Sequence, residues 1–527
     1  MRNFIITLAF LVIIPNVISC TNINREEGYA YFRLKTDPST LDPAYIVDVT
    51  GGSLSAKLFN GLVRIDHDLS IVPDIAESWS ISPDGMVYEF HLRDDAIFSN
   101  GRTVKASDFI YSFERMLDPK NNCPNIWVLD KIKGVEAFRS GRAKAISGLV
   151  ALNERTLRIT LERPFNPFLS LLSMPSAYVV PKEEILSRGD SFGFEPVGSG
   201  PYKLKKWEPN VEIIFEARDD YFSGTPKVKG LTFRIIPEDL TAVTEFEIGN
   251  IDTISLPASA FGRFTRDPEW NNMVVAQEGL NTYYLGFNCQ RPPFNNVNIR
   301  RAVGYSLDRR KILNTFFENR GRAADGPVPD NLRNWNIDVR YDHNPDRAIE
   351  ILRSEGITLP VKADLYITAD QDVVDMAEVI QSYLNRSGFD VRIKQLEWSS
   401  YKQALNRGEA DMFWLSWWAD YPDPENFLYP LFHSSNLGPA GNRVRFIDER
   451  VDLLIEKGQR AVSDEERNRY YGRAENIIMS KVPWIPFWHR NDHIIHQKRV
   501  KEITIAPIYS SDKGMEISLS EAARPDN

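Results

Sequence analysis

The chain has 527 residues, more than one core can hold, so two or three domains are expected. With 43% hydrophobic and 26% charged residues, its composition is that of a globular protein and excludes a disordered one. The net charge is −9 and there is no large basic block, which argues against nucleic acid as a partner, because phosphate binding needs clustered cations.

Arg2 precedes an almost wholly apolar, uncharged run from Phe4 to Ile14. The run has the length of a signal-peptide core and is too short to span a bilayer. Val17-Ile18-Ser19-Cys20 follows, and a small residue before a cysteine at this distance resembles a lipobox, in which the cysteine thiol is acylated and becomes the first mature residue. Residues 1–19 are therefore expected to be a lipoprotein signal peptide, Cys20 the point of lipid attachment and 20–27 a polar tether. The plainer alternative is a secretory signal that happens to contain a cysteine. No other stretch is long and apolar enough to cross a membrane. The body of the chain is expected to be exported and lipid-anchored to the cell membrane, facing the periplasm or the exterior. Cys123 and Cys289 are expected to be free, buried thiols.

The first part of the mature chain reads as mostly strand. Apolar and polar residues alternate over 86–98 and 155–161. Residues 103–117 form a helical pattern, with Ser107 as its cap and Phe109, Ile110 and Phe113 on one face. Gly198-Ser199-Gly200-Pro201 reads as a turn, and 211–222 as a strand followed by a turn. After residue 284 the pattern changes. Residues 298–317 read as a helix, with Asp308 able to cap a second one. Asn344 caps a helix that has Pro345 at its first position and Gly356 past its end. Strand 361–368, helix 372–388, strand 389–398, helix 399–409 and strand 411–418 then alternate, which implies parallel pairing with right-handed crossovers.

Ligands of open α/β sheets bind outside the carboxyl ends of the strands. The stretch "WLSWWADYPDPENF" (414–427) ends one of these strands and lies at such a place. Trp414, Ser416 and Trp418 share one strand face, and Leu415 and Trp417 the other. Three tryptophans cannot all be inert core, because a buried indole N–H needs a partner. Asp420 beside them would be a partly dehydrated carboxylate, costly unless a cation meets it. That cation is either a protein arginine or lysine, or a ligand ammonium.

Catalytic motifs are absent: there is no H-E-x-x-H, G-x-S-x-G, P-loop or CxxC. Adjacent acids such as Asp420 and Asp423 are expected by chance in a chain this charged, and show none of the features of a glycosidase pair. His489, His493 and His496 would share a face on a helix. The surrounding prolines and aromatics favour strand, with His489 and His493 on one face and His496 on the other, and no metal site.

The whole mature chain resembles the oligopeptide- and dipeptide-binding proteins of bacterial ABC importers, family 5 of the extracellular solute-binding proteins. The resemblance rests on "STLDP" (39–43), "LFNGLVRID" (58–66), residues 73–119, "PVGSGPYKLKKWEP" (196–209), "NVNIRRAVGYSLDRRKI" (296–312) and "WADYPDPENFL" (418–428), in the family's order. It implies an α/β fold, a two-lobed periplasmic-binding-protein clamshell (class II-like) with an extra strand-rich domain in the first lobe. Domain I would be assembled from 28–59, 189–283 and 496–522, domain II would be 60–188, and domain III, the second lobe, 284–495, with hinge strands near 283 and 495.

The resemblance further implies that Asp420 holds a peptide's terminal ammonium and that main-chain groups from Ser416 to Trp418 pair with the peptide backbone. The candidate ligand-binding residues are thus Ser416, Trp417, Trp418, Asp420 and Tyr421. Some relatives use an acidic residue shortly after "LDP". Val47 holds that offset here, with Asp48 beside it, and a one-residue change on a strand turns the side chain to the other face. The basic residue that receives the peptide's C-terminus varies with peptide length and is not assigned. Asp423 and Glu425 read as loop residues. The expected protein is a monomeric receptor and not an enzyme. It has no catalytic residue, metal or cofactor. Its partners would be short peptides, the transmembrane subunits of an ABC permease, and the membrane through Cys20. The rival within the family binds a nickel chelate, haem, an opine or an oligosaccharide. The rival of another class, a secreted hydrolase, lacks a visible activated nucleophile.

Overall fold

The computed structural model describes residues 25–317 and 320–520. The expected signal peptide, Cys20, most of the tether and the last residues of the 496–522 segment lie outside the described residues.

Twelve of the described strands join one sheet. Along its main path the order is Phe389–Leu396, Val361–Thr368, Met412–Trp418, Asn281–Phe287, Trp484–His496, Thr253–Ser255, Tyr29–Leu34, Gly230–Ile235, Glu212–Ala217 and Tyr202–Glu208. The 361–418 alternation behaves as the apolar periodicity predicts. Val361–Thr368 pairs in parallel with Phe389–Leu396 along its length and with Met412–Trp418 at Leu365 and Tyr366. The helix Gln371–Arg386 buries Met376, Ala377, Ile380 and Leu384 on one face. Asn344 and Asp308 both cap helices with their side chains, accepting from Arg347 N–H and Lys311 N–H.

Trp484–His496 ties the two halves of the sheet together. Its first residues pair with Asn281–Phe287 and its last three with Thr253–Ser255. A separate four-stranded antiparallel sheet, Ala76–Ile81, Val87–Leu92, Thr156–Thr160 and Leu149–Asn153, packs in the first lobe. Among the described residues no helix is long and apolar enough to cross a membrane. Cys123 and Cys289 are free thiols, as expected, but only Cys123 is buried and Cys289 is half-buried.

One local expectation needs correction, and another gains a reason. The helix Ala106–Leu117 is capped at Lys105, not Ser107. Asp108, three residues on, accepts from the Lys105 N–H at 2.8 Å and is held by Arg102 at 2.9 Å. Ser107 lies inside the first turn, while Asp108 reaches back to the N–H of the cap residue and places an acidic side chain where the helix dipole favours it. The turn expected at 198–201 is a bend, and it is buried. It lies against the C-terminal end of the helix Val49–Leu58, and Gly200 N–H donates to Leu58 C=O at 2.8 Å. A Cβ on Gly198 would lie 1.9 Å from the Leu58 carbonyl oxygen, so the glycine also permits close backbone approach.

Candidate functional site

The strand Met412–Trp418 has an open edge. Ala419 N–H donates to Leu280 C=O at 2.8 Å, which sets the phase of its ladder with Asn281–Phe287. Bonded pairs alternate in antiparallel ladders, so Trp417 and Leu415 bond to that neighbour, and the N–H and C=O of Ser416 and Trp418 point the other way. On that other side Val361–Thr368 reaches only Met412 and Phe413. The Trp414 carbonyl, which faces the same way, accepts from the Tyr401 hydroxyl. On that side, beyond Trp414, no described strand pairs with Ser416 and Trp418.

The three tryptophans separate by exposure. Trp414 is buried among Phe487, Trp488 and Tyr283. Trp417 packs inward and donates its indole N–H to Asn426 Oδ1 at 3.3 Å. Trp418 is 42% exposed, edge-on to Tyr283 at 6.4 Å.

Past the strand, Asn426 fixes the loop by accepting from Asp420 N–H at 2.9 Å, and its amide reaches the Asp420 carboxylate at 3.4 Å. Asp420 lines a cavity of about 520 Å³ between the lobes. The opposite wall includes Phe32, Val49 and Ser53, and the segment from Ile503 to Tyr509 covers it. Burial pushes the Asp420 carboxyl up, only partly offset by Asn426. Among the described residues no arginine, lysine or histidine forms an ion pair with it. Of the two cations left open by the sequence, a protein side chain does not take the place.

The neighbouring acids are different, and reading them as loop residues is corrected. Asp423 and Glu425 are each 2% exposed. Asp423 pairs with Arg467 at 2.9 Å and accepts from Glu425 N–H at 2.8 Å. Glu425 accepts from the Tyr421 hydroxyl and from Gln459 Nε2 at 2.6 Å. Tyr421 itself is buried, its ring 6.1 Å from Trp127 of the first lobe. Part of the surface that covers the loop comes from residues 127–166, far away in the chain. A second cavity of about 580 Å³ lies beside Asp423 and Arg467, but its charged groups already satisfy each other.

Burial raises the Glu425 carboxyl to about 7, and Glu475, buried near Arg333, also to about 7. Between about pH 4.5 and 7 the folded protein keeps protons that the unfolded chain releases, so stability falls as pH rises through that window. Each group contributes up to about 3 kcal/mol. Urea midpoints are expected to be higher at pH 5 than at pH 7.5, and Glu425→Gln should shrink the gap. An unchanged gap would mean that Glu425 is ionised in the folded state throughout.

Asp48 caps the helix Val49–Leu58. Its carboxylate accepts from Gly51 N–H at 2.7 Å and from Ser39 Oγ at 2.7 Å. Val47 is 66% exposed. Tyr509 stands between Asp48 and Asp420, and burial together with these two charges holds its hydroxyl protonated. Gly52 makes room for the Tyr509 ring, since a Cβ there would lie 2.3 Å from the ring edge. Sequence reasoning missed Tyr509 and also Arg490 and Asp492, which line the same cavity. The only signal for the last two was their place inside the histidine cluster. The histidines do not converge: His489 donates to Asn281 C=O, His493 packs edge-on to Phe261, and His496 contacts the Gln497 carbonyl.

Two lobes facing each other across a cleft, with an unpaired carboxylate at its wall and an open strand edge beside it, define a solute-binding clamshell. The profile described as "Bacterial extracellular solute-binding proteins, family 5 Middle" matches residues 70–439. The chain is 28% identical over 492 residues to heme-binding protein A of Haemophilus influenzae, covering 89% of this chain and 88% of that one. It is 27% identical over 501 residues to probable di/tripeptide-binding protein 5 of Pseudomonas aeruginosa, covering 91% and 93%. The solved "MppA Periplasmic Murein Tripeptide Binding Protein, Unliganded Open Form" superposes with a TM-score of 0.81 at 26% identity, covering 95% of this chain and 99% of that one. The chain belongs to family 5 of the bacterial extracellular solute-binding proteins, the binding components of ABC importers, and its relatives are binding proteins rather than enzymes.

Proposed function

We propose that this protein captures short peptides with a free amino terminus between its lobes and delivers them to an ABC permease. The observation that carries this reading is Asp420: a carboxylate partly withdrawn from water, with no cation paired to it among the described residues, beside the open edge of Ser416 and Trp418. An ammonium would relieve the carboxylate, and the edge offers a peptide main chain N–H and C=O partners whatever its side chains, which suits broad recognition. The exposed Trp418 ring would cover the first ligand residue. Trp417 and Tyr421 would hold the loop from behind, through Asn426 and Glu425. Asp48, engaged as a helix cap, would act through Tyr509. The proposed division into 28–59, 189–283 and 496–522, 60–188, and 284–495 is supported by the separate four-stranded sheet inside 60–188 and by Trp484–His496 bridging the large sheet. Acylation at Cys20 after removal of residues 1–19 would anchor this monomer to its membrane.

The relative named as heme-binding gives the rival ligand class its support. Native mass spectrometry of the protein as purified separates the two readings. A family of masses that fragment as short peptides is expected. A single haem, metal chelate or sugar mass would replace the peptide reading.

A further inference from the structure

The open edge beside Asp420 is short, and one side chain sets its length. Along Met412–Trp418 the main-chain groups that face away from Asn281–Phe287 belong to Trp414, Ser416 and Trp418. Val361–Thr368 takes the beginning of that side, pairing at Met412 and Phe413, and then runs on to Thr368 without the strand. Tyr401 takes the next position: its hydroxyl donates to the Trp414 carbonyl. Exposure rises along the row, from buried Trp414 through half-buried Ser416 to exposed Trp418.

Tyr401 is fully buried in the first turn of the helix Trp398–Arg407. Its N–H donates to Glu397 C=O at 2.8 Å, and the Glu397 carboxylate caps the helix by accepting from Ser399 N–H at 2.8 Å. The ring of Trp398, itself exposed, stacks on the phenol at 6.0 Å. The hydroxyl bond satisfies a buried tyrosine. It also removes the one further acceptor that a strand laid along the edge would meet. An ammonium at Asp420 lies past the carboxyl end of Met412–Trp418, so a peptide on this edge runs back along it, antiparallel. Bonded positions alternate in such a ladder, so Trp418 and Ser416 serve ligand residues two apart, the first and the third. The fifth would fall opposite Trp414, and its N–H would find the carbonyl already taken.

We propose that Tyr401 is the length stop of the peptide edge: by occupying the Trp414 carbonyl it ends main-chain pairing after the third ligand residue, and residues beyond the third leave the strand. The proposal rests on the peptide reading and sharpens it. Main-chain recognition here counts three residues, whatever their side chains.

Calorimetric titration of the full chain with tri-alanine, penta-alanine and two penta-alanines N-methylated at the third or the fifth residue tests this. N-methylation removes the N–H that would bond the Ser416 or the Trp414 carbonyl. Penta-alanine is expected to bind no more than about 3-fold tighter than tri-alanine, because the longer chain adds no main-chain bond. N-methylation should weaken penta-alanine about 10-fold at the third residue and less than about 2-fold at the fifth, the loss of one hydrogen bond against none. In Tyr401→Ala, checked for folding by its circular dichroism melt, the Trp414 carbonyl is free and the fifth-residue methyl should cost at least about 5-fold. If that variant does not fold, the wild-type comparison decides alone. Equal losses at the third and fifth residues, no loss at the third, or a folded Tyr401→Ala with the wild-type profile would overturn the stop while leaving peptide capture in place. A wild type that takes tri-alanine and refuses penta-alanine keeps the stop only if Tyr401→Ala admits the longer peptide. Binding of neither peptide would remove the peptide reading itself.

Discussion

Asp420→Asn is expected to weaken binding of peptides with a free amino terminus by about 3–5 kcal/mol, the cost of leaving one partner of a buried ion pair unmatched. Asparagine is nearly isosteric and leaves the Asp420 N–H contact to Asn426 in place, so the loop should keep its shape. What disappears is the charge. A ligand ammonium drawn into the cavity would then be desolvated without compensation. N-acetylation of the peptide should cost the wild type a similar amount and the variant little, because the second change removes a charge whose partner is already gone. Titration calorimetry with free and acetylated forms of one peptide measures both legs. Equal wild-type affinity for the two forms would sink the assignment. The pH dependence has a definite sign. Burial raises the carboxyl of the empty protein, and a bound ammonium stabilises the ionised form, so affinity should fall as pH drops through the raised value. Asp420→Asn should lose that dependence.

Much of the second lobe was legible because its signals are local. Over 361–418 the apolar spacing gave strand and helix alternation within a few residues, and Asn344 and Asp308 are caps whose partners lie three residues away. Asp420 was marked by its place just beyond a strand end, and main-chain pairing at Ser416 to Trp418 was implied by the family resemblance. What was not legible depended on distant chain. Asp423 and Glu425 read as loop residues, and their burial follows only when Arg467, Gln459 and residues 127–166 are brought over them. Gly198 reads as a turn residue, and its close approach to the Leu58 carbonyl comes only with folding. Tyr509 and Arg490 have no motif, and only folding sets them in the same cavity as Asp420. Trp418 was the hardest of the tryptophans to place. Its neighbours Trp414 and Trp417 find buried partners, and it alone of the three is left at the cleft.

Removing the charge of Asp423 is expected to cost stability on the scale that Asp420→Asn costs binding. Here the cation is already present. Arg467 meets Asp423 at 2.9 Å with side-chain exposures of 17% and 3%, and also donates to Asn166 Oδ1 at 2.5 Å. Asn166 in turn donates from its backbone to Gln459 C=O at 2.7 Å and from its side chain to Ala461 C=O at 3.2 Å. The pair therefore sits under a junction between the first lobe and the second. Asp423→Leu strands a largely buried guanidinium and should lower unfolding stability by about 3–5 kcal/mol. Arg467→Met should do comparable damage by stranding the carboxylate. The double variant should recover much of either loss, because most of the single-variant cost is an unmatched charge rather than a missing attraction. Urea midpoints of the four proteins form the cycle. Losses that simply add would show that the two groups act independently and that the junction is held by the Asn166 backbone contacts instead. Asp423→Asn adds a control, since an amide oxygen can still accept the Glu425 N–H that orients the helix Glu425–Phe432. Its loss should stay close to that of Asp423→Leu if charge dominates, and fall well below it if the helix contact does.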